Sequence, residues 1–150
     1  MKRLALCLLL ALVALSGLAA QSNVTIDRVL AERSVSWANA AWLVLNASQA
    51  IPEEADPLKA AQTAKSRGFA VPANPERVPV TLGDYSFLIV KELGLKVGII
   101  YSIIPSGHYA LRELVYAKAI TPPAWENQTL SGEEAMRILL KAMDIKETQK

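Results

Sequence analysis

The chain has 150 residues, 52% of them hydrophobic, and a formal net charge of +2 at pH 7, which is enough for one domain with a buried core. Lys2 and Arg3 account for two of its 16 basic residues, so the remainder carries 14 basic and 14 acidic side chains. This balance argues against a nucleic-acid partner, which needs a basic face, and against binding anionic lipid by charge alone.

The N-terminal residues have the pattern of a secretory signal peptide. A basic pair precedes an uncharged apolar run from Leu4 to Leu15, and small residues follow it. Gly17 and Ala19 favour cleavage after Ala19, with cleavage after Ala20 as the alternative. The run is shorter than the roughly 20 residues of a membrane span. We therefore expect an exported chain, in the periplasm or at the surface of a bacterium, with no membrane span after cleavage.

Few residues suit acid–base or metal chemistry. The single cysteine, Cys7, lies inside the signal peptide, and the single histidine, His108, opens a predicted helix. Without a second histidine or a mature cysteine there is no usual zinc ligand set, and we expect no metal and no cofactor. Carboxylate pairs stand at 53–54 and 133–134, but adjacent residues on a helix do not face one another. A non-enzymatic protein is the prediction, and a hydrolase is kept as an alternative.

After the signal peptide, five proline-bounded segments have the spacing of amphipathic helices. Asp56 can cap the second helix, with Pro57 at its first position and Gly68 at its end. Gly94 ends the third in the same way. The five predicted helices start at Ser36, Asp56, Thr81, Ser106 and Ser131.

Two stretches of the chain repeat one pattern. "VTLGDYSFLIVKELGLK" (80–96) aligns without a gap on "LSGEEAMRILLKAMDIK" (130–146), 50 residues later, and "AAQTAKSRGF" aligns on "LRELVYAKAI" at a distance of 51. "SWANAAWLVL" matches "TLGDYSFLIV" at an offset of 45. This predicts an all-α domain with a half-repeat and two helix–loop–helix repeats. Chance similarity between amphipathic helices is the alternative. Trp42, Phe87 and Met136 occupy equivalent turns, and we expect each to be at least partly buried.

These residues resemble S-layer homology repeats, whose first helix ends in a "GI"-like pair and whose second helix opens with "TRAE" and ends near "LGL". The "GI"-like pair corresponds to Gly68-Phe69 and Ala119-Ile120. "TRAE" corresponds to "TLGD" (81–84) and "SGEE" (131–134), and "LGL" itself occurs at 93–95. The resemblance covers roughly 56–145, with 36–48 as a half-repeat. It implies a protein held non-covalently near cell-wall polymers.

The chain departs from this family at the residue that reads the wall glycan. The "TRAE" arginine is replaced by Trp37, Leu82 and Gly132, and the "F-x-D-V" opening is missing. Ser or Thr followed three residues later by an acid also forms a helix cap. The retained residues therefore have a structural explanation beside a binding one.

The resemblance places ligand contacts where each loop meets the start of the second helix. The predicted partner-binding rim comprises Arg77, Thr81, Asp84, Trp125, Asn127, Ser131 and Glu134, with Arg112 in addition. Trp125 lies in the proline-rich loop "TPPAWENQ", where its ring can either anchor a partner or fold back and seal the core.

The segment "KVGIIYSIIPSGHY" (96–109) joins the two repeats and is rich in isoleucine. It is either a buried linker or an exposed docking patch, with Arg112 and Glu113 at its border.

The expected organisation is a signal peptide at 1–19, an N-terminal segment at 20–34, the helical repeat domain at 35–146 and a tail at 147–150. The predicted function is binding or scaffolding as a cell-wall-associated envelope module. The alternative is a protein-interaction adaptor that binds no glycan, so the partner is a wall polymer or another envelope protein.

Overall fold

The computed structural model describes residues 24–149, and this part of the chain is all-α, as predicted. β-Pairing in this range is limited to two isolated bridges, Ser36 with Pro79 and Thr81 with Thr129. The predicted signal peptide at 1–19 lies outside the described residues. The helices are α1 (24–30), α2 (Trp37–Ala47), α3 (Pro57–Ser66), α4 (Leu82–Leu93), α5 (Ile99–Ile103), α6 (Gly107–Tyr116) and α7 (Gly132–Thr148).

The five longer helices begin at the predicted residues because each preceding side chain caps the helix. Each capping oxygen accepts a hydrogen bond from a backbone N–H in the first turn, which would otherwise lack a partner. In α7 the cap is reciprocal, because the Glu134 carboxylate also accepts from the Ser131 N–H. In α4 the Asp84 carboxylate instead accepts from the Thr81 hydroxyl, at 2.9 Å. The capping residues are Ser36, Asp56, Thr81, Ser106 and Ser131.

Three helices form the centre of the fold. α2, α4 and α7 contact one another, while α3 packs mainly on α2 and α6 mainly on α4. Tyr85 is fully buried, and its hydroxyl donates to the Ala135 carbonyl at 2.8 Å. Trp42 is 3% exposed, and Phe87 and Met136 are partly buried against the same core. The predicted burial of these three residues, which lie in equivalent turns, is confirmed.

The three central helices begin with the same kind of backbone hydrogen bond. Each helix donates its first N–H to the segment that precedes another central helix, so the three segments interlock in a closed ring. That a duplicated segment gave rise to this recurrence stays a prediction. The three bonds run from Trp37 to Val78 (2.9 Å), from Leu82 to Gln128 (2.7 Å) and from Gly132 to Glu32 (2.9 Å).

Both ends of the described chain join the domain. In α1, the Val29 side chain is fully buried, and the Val29 carbonyl lies directly against Gly132. The segment predicted to precede the domain therefore contributes to its core. α7 continues through Thr148, beyond the boundary expected at 146. The Gln149 side chain accepts from the Lys96 N–H at 2.8 Å, which ties this end to the loop after α4.

The isoleucine-rich segment forms α5, and the buried-linker interpretation is wrong. Its four isoleucines, at 99, 100, 103 and 104, are between 54% and 78% exposed. Within α5, only Tyr101 points inward, at 8% exposure, with its ring 6.3 Å from that of Phe87. A five-residue helix presents only one side to the core because its side chains spread around the axis.

Candidate functional site

The loop of Trp125 crosses the start of α4. The backbone N–H of Leu82 donates to Gln128, and that of Gly83 donates to Glu126, at 2.7 and 2.9 Å. These bonds fix the loop by its carbonyls and leave the Trp125 ring outside. Trp125 as a whole is 70% exposed. The interpretation that Trp125 seals the core is therefore wrong.

Two glycines allow three segments to meet beside this ring. A Cβ at Gly83 would lie 2.5 Å from Cγ of Glu126, so only glycine lets the loop approach α4 this closely. A Cβ at Gly107 would lie 2.9 Å from the Gly83 carbonyl carbon. The starts of α4 and α6 therefore touch, and the loop lies over both.

This approach creates a polar pair that the sequence did not indicate. Nδ1 of His108, in the first turn of α6, lies 3.4 Å from Oε2 of Glu126, and both side chains are about half exposed. The two residues are 18 positions apart in the chain. Only the packing of α6 against α4 brings them together. We use the name Trp125 rim for the group formed by Thr81, Asp84, His108, Trp125, Glu126 and Asn127.

The structure groups the predicted rim residues differently from the sequence. The sequence assigns Thr81 and Asp84 to the rim of one repeat, and Trp125 and Asn127 to the rim of the other. In the structure all four lie at the same junction. The reason is that each loop caps a neighbouring helix rather than only the helix that follows it.

The remaining predicted residues lie elsewhere. Arg77 is exposed in the loop that meets α2, and Ser131 and Glu134 cap α7 at its junction with the segment after α1. Arg112 is exposed on α6, and the carboxylate of the adjacent Glu113 lies against Gly98 at the start of α5.

The three positions aligned above with the "TRAE" arginine are buried in this fold. Trp37 and Leu82 are each 3% exposed. At Gly132 a Cβ would lie 1.7 Å from the Val29 carbonyl oxygen, so no side chain fits there. These three positions are thus packed where the three segments interlock.

The Trp125 rim combines an exposed aromatic face with an imidazole, two carboxylates, an amide and a hydroxyl. Such a set offers a face for stacking, together with hydrogen-bond donors and acceptors. Thr81 and Asp84 also cap α4, where the Thr81 hydroxyl donates to the Asp84 carboxylate. Glu134 is engaged in the same way, because it accepts from the Ser131 N–H and lies 3.7 Å from Arg137. Between residues 24 and 149, no cluster of three or more His, Cys, Asp or Glu side chains suits a metal ion.

Burial shifts the pKa of two tyrosines, neither of which belongs to the Trp125 rim. Burial raises the pKa of Tyr85 far above its usual value, and it also raises the pKa of Tyr101. Both side chains are packed and neutral at physiological pH, which favours structural roles.

This chain matches no protein-family model, no curated protein and no solved structure. Among the described residues, none of the helices combines the length and apolar character needed to cross a bilayer.

Proposed function

We propose that this chain is an exported, non-enzymatic envelope protein that binds a cell-wall polymer through the Trp125 rim. The observation that carries the proposal is the exposure of Trp125, 70% in a polar loop that is held by its backbone. A large exposed ring on a fixed loop loses little conformational entropy on binding and offers a flat apolar face to a sugar.

The polar groups around the ring support the same ligand class. His108, Glu126 and Asn127 place donors and acceptors beside an apolar face, as recognition of a hydroxyl-rich polymer requires. The resemblance to S-layer homology repeats adds the expectation of a wall polymer. The missing arginine implies that recognition here depends less on the charge of the polymer.

A sedimentation assay on purified, protein-free sacculi tests the proposal. We expect the wild-type chain to be retained and the Trp125→Ala variant to be lost, with unfolding temperatures that stay close. Tyr116→Ala is the matched control, because Tyr116 is 87% exposed on α6 and lies outside the rim. Equal retention of wild type and Trp125→Ala would reject the rim as the binding site.

The second candidate is a protein-interaction adaptor that binds no glycan. The exposed isoleucines of α5 favour it, because contiguous apolar surface on a soluble domain often marks a protein contact. Retention only when a membrane-protein fraction is added, and its loss in Ile103→Ser, would select the adaptor. Turnover of wall polymer that vanishes in Glu133→Gln would instead revive the hydrolase alternative.

Export is tested separately from binding. Mass spectrometry of the chain recovered from cells that express it at full length should give an N-terminus directly after Ala19. An intact N-terminal Met1 in that chain would contradict the predicted processing.

A further inference from the structure

One of the three central helices, α7, exposes apolar residues at positions that are buried in the other two. When the helices are aligned on their capping residues, Met136 of α7 corresponds to Ser86 of α4, and Leu140 corresponds to Val90. Ser86 and Val90 are 0% and 2% exposed, whereas Leu140 is 54% exposed and Met136 only partly buried. The same two positions of α2, Ala41 and Leu45, are fully buried.

The difference accompanies a difference in neighbours, because α2 and α4 each have a further helix packed on them. α3 covers α2, and α6 covers α4. Each presents small or branched apolar residues: Ala60, Ala61 and Ala64 in α3, and Ala110, Leu111 and Leu114 in α6. In the described part of the chain, α7 has no such partner. α1 meets it at Gly132 and reaches as far as Ile26, which leaves Leu140 uncovered.

The uncovered side of α7 forms one wall of an open groove, and α2 forms the other. Met136, Leu140 and Met143 face Trp42 and Leu43 across it, in a volume of about 220 Å³. This volume is below the roughly 300–1,000 Å³ of small-molecule pockets. The groove is therefore suited to a few inserted side chains of a larger partner.

Acidic side chains surround this apolar groove. Glu53 lines it from the α2–α3 loop. On α7, Glu133, Asp144 and Glu147 are exposed, and their spacing from Leu140 puts them on the same side of the helix. Arg137 also lies on this side, but it is 3.7 Å from Glu134, so the carboxylates prevail. The charge selects a partner with basic residues beside its apolar face. α3, which fills the equivalent place on α2, has this composition, with an alanine face and exposed Lys59 and Lys65.

We propose that the groove between α2 and α7 docks a basic amphipathic helix of about three turns from a partner protein. Its alanine or leucine side chains insert between Met136, Leu140 and Met143, and its lysines or arginines meet Glu53, Glu133 and Asp144. The pairing is a helix-in-groove contact. Neither α3 nor α6 of a second copy supplies that helix, because their apolar faces are already buried in their own domain.

The probe is a labelled synthetic peptide with the sequence of residues 56–68, the helix that fills the equivalent place on α2. Because so short a helix is marginal in water, a hydrocarbon staple joins positions 62 and 66, which are exposed in α3. Fluorescence anisotropy should report saturable binding to the wild-type chain and at least tenfold weaker binding to Leu140→Glu. Leu58→Glu is the matched control, since Leu58 is 41% exposed on α3, and it should bind like wild type.

The other outcomes reject the proposal. Absence of binding to the wild type, or equal binding to Leu140→Glu, would show that the groove takes no such helix. Dimerisation in analytical ultracentrifugation that Leu140→Glu abolishes would make a second copy the occupant. Binding that appears only after residues 1–23 are removed would make the chain's own N-terminal segment the occupant. Asp144→Lys, which leaves the apolar groove intact, should weaken binding and reduce its dependence on salt.

Discussion

A methyl group added at Gly132 should unfold the junction between α1 and α7. A Cβ there would lie 1.7 Å from the oxygen and 2.6 Å from the carbon of the Val29 carbonyl, both backbone atoms, whereas ordinary contacts begin near 3.4 Å. The α1 backbone must therefore move by more than an ångström. That movement removes the bond from the Gly132 N–H to Glu32 and exposes the buried Val29 side chain.

Three contributions set the size of the effect. Overpacking costs about 1–3 kcal/mol, and exposing Val29 costs roughly 1.5 kcal/mol or more. The higher helix propensity of alanine offsets at most about 1 kcal/mol. Gly132→Ala should therefore lower the free energy of unfolding by about 2–4 kcal/mol. In a domain of this size that corresponds to a fall in Tm of roughly 10 °C.

Thermal unfolding followed by far-UV circular dichroism measures this change, and Gly98→Ala is its control. A Cβ at Gly98 would meet Oε1 of Glu113 at 2.8 Å, but that carboxylate ends a flexible side chain and can swing away. We expect a change within about 0.5 kcal/mol there, as at most surface positions. If Gly132→Ala melts within about 2 °C of wild type, α1 does not pack on α7 as described, and the reasoning fails.

Three further predictions concern single side chains. Tyr85→Phe should lower the free energy of unfolding by about 1 kcal/mol at neutral pH, since the bond to the Ala135 carbonyl is lost. Because burial raises the pKa of Tyr85, the stability of the wild type should also fall above about pH 10. Tyr85→Phe should lose less stability in that range, which urea titrations at alkaline pH check. Asp56→Ala removes the α3 cap and should cost about 1 kcal/mol in a urea titration at neutral pH, while an unchanged midpoint would contradict that role. Trp42→Ala should cost about 3–5 kcal/mol and Trp125→Ala much less; equal losses of Tm would contradict their opposite exposures.

The sequence by itself determined the five longer helices and their starts, but not α1 or α5. Local chemistry decides these features, because a serine, threonine or aspartate oxygen caps only the helix that follows it. Pro57 and Gly94 act within a single turn in the same way. The apolar stripes also follow from the sequence, since helical spacing alone puts Tyr85 and Leu88 on one side of α4.

The tertiary structure alone decided which surfaces are free. Trp125 is outside because bonds from Leu82 and Gly83 hold its loop by the backbone, and those partners lie about 40 positions earlier in the chain. Composition cannot say whether an aromatic residue in a loop folds inward, because that depends on which non-local donors the loop meets.

The Trp125 rim and the α2–α7 groove have the same origin. His108 meets Glu126 because two glycines let α6 and the loop approach α4. Leu140 stays exposed because no described helix covers that side of α7. Periodicity marks Leu140 as part of an apolar stripe, but only the arrangement of the other helices decides whether the stripe is covered. Burial is a property of the neighbours a side chain acquires on folding, and for these residues the neighbours lie far away in the sequence.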